Sequence, residues 1–249
     1  ALLVVSVSAA FAWLTPALGA EEYDQPLRAE AFSGKDALLL NETVENGGYS
    51  ITLLGLVSGR NLDVLNQDLE QDHTYSVLAL RRLDGALLEN WDFDFSSFTM
   101  TPLVEGYSPR AVNNWTLDAF AQGFAKDNVY YFLLDTASIE MFADRTVYMA
   151  FYEGFVPDNN TFTMAEDGTI AFCEDFTGVH ALFTLPLDPA KADPAAADAF
   201  VESTGLNGWS NERTAAETEE FETERSVDAD GNETVIIRPK EDAPALAVE

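Results

Sequence analysis

Three oxygen-bearing side chains alternate near the end of the chain, in the segment DADGNE. Asp228, Asp230 and Asn232 have the spacing with which calcium-binding loops begin, and calcium prefers carboxylate and amide oxygens. A complete loop of the EF-hand type would need a glutamate at position 239, where the chain has Pro239. Asp-Gly is also a common corner of β-hairpins. The interpretation that we favour is therefore a turn, with calcium binding as the alternative.

A pair of carboxylates, Asp92 and Asp94, lies in the segment WDFDF. In a strand these two acids share one face, and Trp91, Phe93 and Phe95 share the other. Two carboxylates that face further acids across a cleft could perform the acid–base chemistry of a hydrolase. The chain contains 43 acidic residues, so such a pair arises easily by chance. A solvated strand face is the interpretation that we favour.

Histidine and cysteine are scarce in this chain. His73 and His180 are its only histidines, and Cys173 is its only cysteine. Neither histidine has a second ligand at the spacing of a metal site, and a single cysteine forms no intrachain disulfide. We predict that Cys173 is a small buried side chain. The sequence has no nucleophile elbow, phosphate-binding glycine loop or dinucleotide fingerprint, so we predict no catalytic residues, no cofactor and no enzymatic activity.

Aromatic side chains provide the remaining candidates for ligand binding. Trp91 and Trp115 head a group that could line a sugar-binding or peptide-binding face together with Tyr130, Tyr131, Tyr148 and Tyr152. Aromatic residues in a β-domain belong more often to its core, and a core role is the interpretation that we favour.

Turn signals between short apolar runs predict the elements that position these residues. Residue types that accept a positive φ occur at 46–48, 84–85 and 167–168, and they predict three hairpins. The runs NVYYFLLDT and TVYMAFYEG are apolar on both faces, which is typical of central strands. GVHALFTLPL places alternate apolar residues on one side, namely Val179, Ala181, Phe183 and Leu185. We predict about nine strands over residues 37–187, in a mostly-β, two-sheet sandwich built from hairpins.

Helix signals are few. LDAFAQGFA at 117–125 has a weak helical pattern, and SIEMFAD predicts a short turn. A better-defined helix is predicted over residues 193–204, because Asp193 can cap its start, Pro194 fits its first turn and Gly205 follows its end. Residues 188–249 form an acidic C-terminal extension in this interpretation, in which TERSV and ETVIIR can pair as a terminal hairpin.

The first twenty residues contain no charge, which is about the length that spans a bilayer as a helix. We predict that residues 1–20 are a transmembrane helix or the remnant of a signal peptide, followed by a polar stalk at 21–36. A buried helix of a soluble fold is the alternative. We favour an anchor, because a chain that begins without methionine inside an apolar stretch implies further protein upstream.

Negative charge is spread over the whole chain, which carries a formal net charge of −30. Residues 21–187 account for −19, from 27 acids and 8 bases, and residues 188–249 for −11, from 16 acids and 5 bases. Such a surface repels the phosphates of nucleic acids and anionic lipid head groups. Non-specific binding to either is therefore not expected.

One stretch carries a family resemblance. GGYSITLLGLVSGRNLDVL followed by DHTYSVLALRRLDG, within residues 47–85, resembles an extracytoplasmic domain of unknown function from Gram-positive bacteria. That domain occurs on membrane-anchored anti-sigma factors and related surface proteins. The resemblance implies that a cytoplasmic segment upstream of the membrane helix binds a sigma factor, and it implies no catalytic residues.

Three functional hypotheses follow. The first is an extracytoplasmic sensory or regulatory domain of a bacterial membrane-anchored, single-pass protein such as an anti-sigma factor. The second is a secreted or surface-attached module that binds glycans or peptides. The third is a hydrolase that uses clustered carboxylates. We favour the first.

Overall fold

The computed structural model of the chain describes residues 37–59, 72–86, 98–126 and 128–212, together with the backbone of two strands further on. The residues up to Trp209 form one compact unit, and Ser210–Glu249 form a second. The predicted anchor at 1–20 and stalk at 21–36 lie outside the described residues. None of the described helices has the length and apolar character needed to cross a membrane.

Ten strands are described in the first unit. They are β1 (Leu38–Asn46), β2 (Tyr49–Ser58), β3 (His73–Arg82), β4 (Phe98–Val104), β5 (Phe120–Lys126), β6 (Val129–Ala137), β7 (Val147–Glu153), β8 (Phe162–Met164), β9 (Ile170–Phe172) and β10 (His180–Leu185). A five-stranded sheet has the order β1-β2-β3-β6-β5, and a three-stranded sheet has the order β10-β7-β4. Strands β8 and β9 form a separate hairpin, and every pairing is antiparallel. The mostly-β prediction is confirmed.

Both larger sheets contribute to one apolar core. Leu53 and Leu80 enter it from the five-stranded sheet, and Phe151 and Phe183 enter it from the three-stranded sheet. A second apolar cluster, which includes Tyr152, lies between the three-stranded sheet and the β8–β9 hairpin. Strand β7 is therefore buried on both faces, as its continuous apolar pattern predicts.

The turn between β1 and β2 also contacts the three-stranded sheet. Gly47 has a φ of +56°, and a Cβ at this position would lie 2.6 Å from Cγ2 of Val179. The neighbouring Asn46 accepts a hydrogen bond through Oδ1 from the backbone N–H of His180, at 2.9 Å. The predicted glycine-rich turn is thus confirmed, and its contact with β10 adds a reason for glycine there.

Two other predicted hairpins differ in outcome. The corner at Asp167–Gly168 joins β8 to β9 and is confirmed. Gly85 has the predicted positive φ, but β3 pairs with β2 and β6, and the expected second arm lies outside the described residues beyond Ala86.

The helical interpretation of residues 117–125 is wrong. Strand β5 begins at Phe120 and pairs with β6 along its whole length. Gly123 permits this pairing, because a Cβ there would come within 2.5 Å of the Tyr130 ring. The hydrogen bonds of the sheet therefore override a weak local helical pattern.

The predicted C-terminal helix is confirmed as α1 (Pro194–Thr204). Asp193 accepts a hydrogen bond from the backbone N–H of Ala196 at 3.0 Å, and Gly205 ends the helix in the left-handed conformation. Val201 is buried, and Phe200 packs edge-on against Phe142 at a centroid distance of 6.0 Å. Phe142 belongs to a single 3₁₀ turn, Glu140–Phe142, which confirms the short turn predicted for SIEMFAD. A second 3₁₀ turn spans Pro189–Lys191.

In the second unit the backbone forms one antiparallel hairpin. Its strands are β11 (Phe221–Val227) and β12 (Glu233–Pro239). Their register runs from Phe221 paired with Pro239 to Val227 paired with Glu233. The predicted terminal hairpin is thereby confirmed.

Candidate ligand-binding surface

Most of the candidates named from the sequence cannot be located in the described parts of the chain. The proposed calcium ligands Asp228, Asp230 and Asn232 lie outside the described residues, and so do Trp91 and the carboxylate pair Asp92 and Asp94. Trp115 is the candidate for ligand binding that the structure describes.

Trp115 differs from the tyrosines with which the sequence groups it. Tyr130, Tyr148 and Tyr152 are buried, in agreement with the favoured core interpretation. Trp115, in contrast, is 54% exposed. The core interpretation is therefore wrong for this tryptophan, and the alternative of an exposed binding residue gains support.

Trp115 contacts Phe155, which follows β7, and the next residue in the chain, Val156, is also an exposed apolar side chain. Phe155 is 57% exposed, and its ring meets the indole at a centroid distance of 4.9 Å and an interplanar angle of 60°. The indole Nε1–H donates to the carbonyl oxygen of Phe155 at 3.3 Å. We name Trp115, Phe155 and Val156 the aromatic platform. Because the indole nitrogen is bound internally, the exposed part of Trp115 is chiefly its apolar ring.

A network of hydrogen bonds fixes the loop that carries Trp115. The buried side chain of Asn113 accepts from the backbone N–H of Trp115 at 2.8 Å and donates to the carbonyl oxygens of Pro109 and Arg110, both at 2.9 Å. The next residue, Asn114, donates its backbone N–H to the Thr101 hydroxyl on β4 at 2.8 Å. The loop is thus attached to β4 through Asn114 and held together internally by Asn113.

The segment that carries Phe155 is fixed in a similar way. Thr99 on β4 donates its hydroxyl to the carbonyl oxygen of Gly154 at 2.6 Å, and it lies 3.3 Å from that of Phe155. Further along, Asp158 accepts through Oδ1 from the backbone N–H groups of Asn160 and Thr161, at 3.0 and 2.9 Å. Both halves of the platform therefore hold their positions through polar contacts.

Polar groups lie next to the platform. Oδ1 of Asn114 is buried and has no hydrogen-bond partner among the described residues. The Tyr152 side chain lies opposite Thr99 in the β4–β7 register, and burial raises the pKa of this phenol well above its ordinary value. Tyr152 is therefore a neutral neighbour of the site.

The two histidines have structural surroundings. Nδ1 of His73, at the start of β3, lies 2.7 Å from Oδ1 of Asp135 on β6. Nδ1 of His180 lies 2.7 Å from the carbonyl oxygen of Gly178, and its ring packs against Phe172 at 4.5 Å. Sequence reasoning misses the His73–Asp135 pair because 62 residues separate its members. We therefore assign a structural role to both histidines, because each ring contacts residues of a neighbouring strand or turn in the same fold.

Cys173 is buried, as predicted, and its thiol lies 3.6 Å from the carbonyl oxygen of Asn159. Within the described ranges, no group of three or more histidine, cysteine, aspartate or glutamate residues is arranged to hold a metal ion. The aromatic platform is consequently the feature of the described surface that best suits a ligand.

Comparisons with known proteins add no name to this surface. No family model, curated protein or solved structure matches the chain.

Proposed function

We propose that this chain is a non-enzymatic, extracytoplasmic binding domain in which the aromatic platform contacts the ligand. The observation that carries the proposal is a tryptophan that is more than half exposed and yet held by hydrogen bonds in a fixed loop. An exposed tryptophan ring leaves a large apolar area in water, and a ligand that covers it gains the free energy of burying that area.

The proposed setting is a sensory or regulatory membrane protein of a bacterium. It is supported by the uncharged first twenty residues, the acidic surface and the resemblance over residues 47–85. In this proposal residues 1–20 anchor the chain, the remainder lies outside the membrane as a two-sheet sandwich, and an upstream segment binds a sigma factor. A secreted or surface-attached module for glycans or peptides is the second candidate, and the same exposed platform favours it.

The ligand site is tested by nuclear magnetic resonance of the indole N–H groups. The chain has four tryptophans, and the Trp115 signal is assigned by its loss in Trp115→Phe. A lysine-containing peptide and an N-acetylglucosamine tetramer serve as probes for the peptide and glycan classes. We expect at least one probe to shift the Trp115 signal, and Trp115→Ala to weaken its binding.

Phe120→Ala is the matched control, because Phe120 is as exposed as Phe155 but lies on β5, outside the platform. It should leave probe binding unchanged. A Trp115 signal that responds to neither probe would overturn the proposed site.

The proposed compartment has its own test. A reporter fused after Glu249 is expressed in bacterial cells, with an alkaline phosphatase in one fusion and a cytoplasmic fluorescent protein in the other. We expect phosphatase activity outside the cytoplasm. Activity of the fusion in the cytoplasm would contradict the proposed location without bearing on the platform.

A further inference from the structure

We infer that the aromatic platform binds a basic peptide segment by receiving a lysine or arginine side chain on the exposed face of Trp115. This inference rests on the proposed function, because it names the ligand class of the same site. It is drawn from the charge around the platform, from the use of cationic side chains elsewhere in the described structure, and from the ring that the platform exposes.

Acidic residues accompany the platform in both segments that build it. Asp118 follows Trp115 by three positions and is exposed, and Glu153 and Asp158 flank Phe155 on β7 and in the following turn. Asp158 uses its carboxylate within its own turn, and Glu153 accepts one hydrogen bond from the backbone N–H of Val179 at 3.2 Å. Both segments that build the platform are therefore acidic in sequence, and neither Trp115 nor Phe155 has a basic residue within three positions along the chain.

Three described cationic side chains have partners within the chain. Arg145 lies over the Tyr107 ring at 4.4 Å, and Arg110 lies over the Trp209 ring at 5.9 Å. Lys191 pairs with Glu140 at 2.6 Å.

The contacts of Arg145 and Arg110 show that guanidinium groups pack over aromatic rings in this chain. No described arginine or lysine side chain lies over Trp115.

The chemistry of the ring favours the same class of ligand. Tryptophan has the strongest cation–π attraction of the aromatic side chains, and the attraction grows where the cation is partly removed from water. The net charge of −30 steers a cationic partner toward the protein and repels an anionic one. A neutral sugar would gain nothing from this charge.

The experiment compares four probes on the whole chain: a peptide of alternating lysine and glycine, its glutamine and glutamate counterparts, and the N-acetylglucosamine tetramer. Binding is followed by the Trp115 indole signal and by calorimetry at low and high salt. We expect only the lysine peptide to shift the Trp115 signal strongly, with weaker binding at high salt. Trp115→Ala should weaken its affinity by about tenfold, which is the scale of one partly desolvated cation–π contact.

Three variants sharpen the result. Trp115→Phe keeps a weaker aromatic face and should restore part of the affinity. Glu153→Gln should reduce affinity by a few-fold, since it removes one negative charge from the segment that carries Phe155. Phe120→Ala should bind as the parent does. Thermal unfolding of each variant shows whether it is folded.

The possible failures separate the two proposals. If the sugar tetramer or the glutamine peptide shifts Trp115 and the lysine peptide does not, the platform remains a binding site and the basic ligand is overturned. If the lysine peptide binds Trp115→Ala as tightly as the parent, its attraction is general charge, and the basic-ligand inference is overturned. If no probe moves the Trp115 signal, both proposals fail.

Discussion

Two aromatic pairs near the end of β7 have similar ring geometry and opposite surroundings. Tyr152 and Phe162 meet edge-on at a centroid distance of 5.2 Å and are both fully buried. Trp115 and Phe155 meet at 4.9 Å, and each is more than half exposed. We call the first the buried pair, and the second belongs to the aromatic platform.

The difference lies in what holds each pair. The buried pair is surrounded by apolar side chains such as Leu103 and Ile170. The platform is positioned by hydrogen bonds: Asn113 accepts from the backbone N–H of Trp115, and Thr99 donates to the carbonyl oxygen of Gly154, next to Phe155. The position of the buried pair is therefore explained by its contribution to the stability of the fold. In the platform, hydrogen bonds hold apolar rings in a position where they remain exposed to water. That arrangement is typical of a binding surface.

The largest effect should come from removing a ring of the buried pair. Phe162→Ala should lower the free energy of unfolding by about 3–5 kcal/mol, because it leaves a cavity in the second apolar cluster. Phe155→Ala, the matched variant in the platform, should cost at most about 1 kcal/mol, since over half of that side chain is already hydrated. Urea unfolding measures both. Equal losses would remove the distinction between the pairs.

The next largest effect should be a loss of folding stability at alkaline pH, which arises from buried tyrosines. Burial raises the pKa of Tyr130 to about 12, and burial with the hydrogen bond to Asp198 raises the pKa of Tyr107 to about 12. In the unfolded chain both phenols ionise near pH ~10. The unfolded state thus releases its protons first. The stabilisation is complete below about pH 10 and is lost as the pH rises to about 12.

The expected slope is at most about 1.4 kcal/mol per pH unit for each tyrosine over that range. Urea unfolding at a series of alkaline pH values measures it. A variant with Tyr107→Phe and Tyr130→Phe should show a shallower slope than the parent. A parent whose stability is flat across this range would show that these phenols are not shielded from ionisation.

A smaller effect should follow from loosening the platform. Thr99→Val removes the hydroxyl that donates to the Gly154 carbonyl, and should cost about 1–2 kcal/mol. Thr43→Val, on an exposed contact with Thr52, should change stability by less than about 0.5 kcal/mol. Hydrogen exchange of the Trp115 indole N–H should quicken in the first variant only. Unchanged exchange in Thr99→Val would mean that Thr99 does not hold the platform.

Local signals predict much of this fold. The turn at Gly47, the caps of α1 at Asp193 and Gly205, and the central position of β7 all depend on residues close together in the chain. The strand β5 is not predicted, because its conformation depends on pairing with β6.

The candidate site is predicted only in part. Trp115 is named from the sequence, but whether an aromatic residue ends inside or outside is decided by the tertiary packing around it. Phe155 is missed, although the segment GFVPDNN contains a signal: two large apolar residues stand between a glycine and a proline in a turn. Such residues are exposed more often than those within strands. The partners Asn113 and Thr99 belong to different elements, so no local pattern joins them to the platform.

The most direct measurement is made on Trp115→Ala, with the free energy of unfolding and the affinity for the lysine peptide determined on the same preparation. We predict a change in stability of no more than about 1 kcal/mol, together with about a tenfold loss of affinity. A loss of stability as large as that of Phe162→Ala, or an affinity equal to that of the parent, would contradict the assignment of the platform as a binding surface.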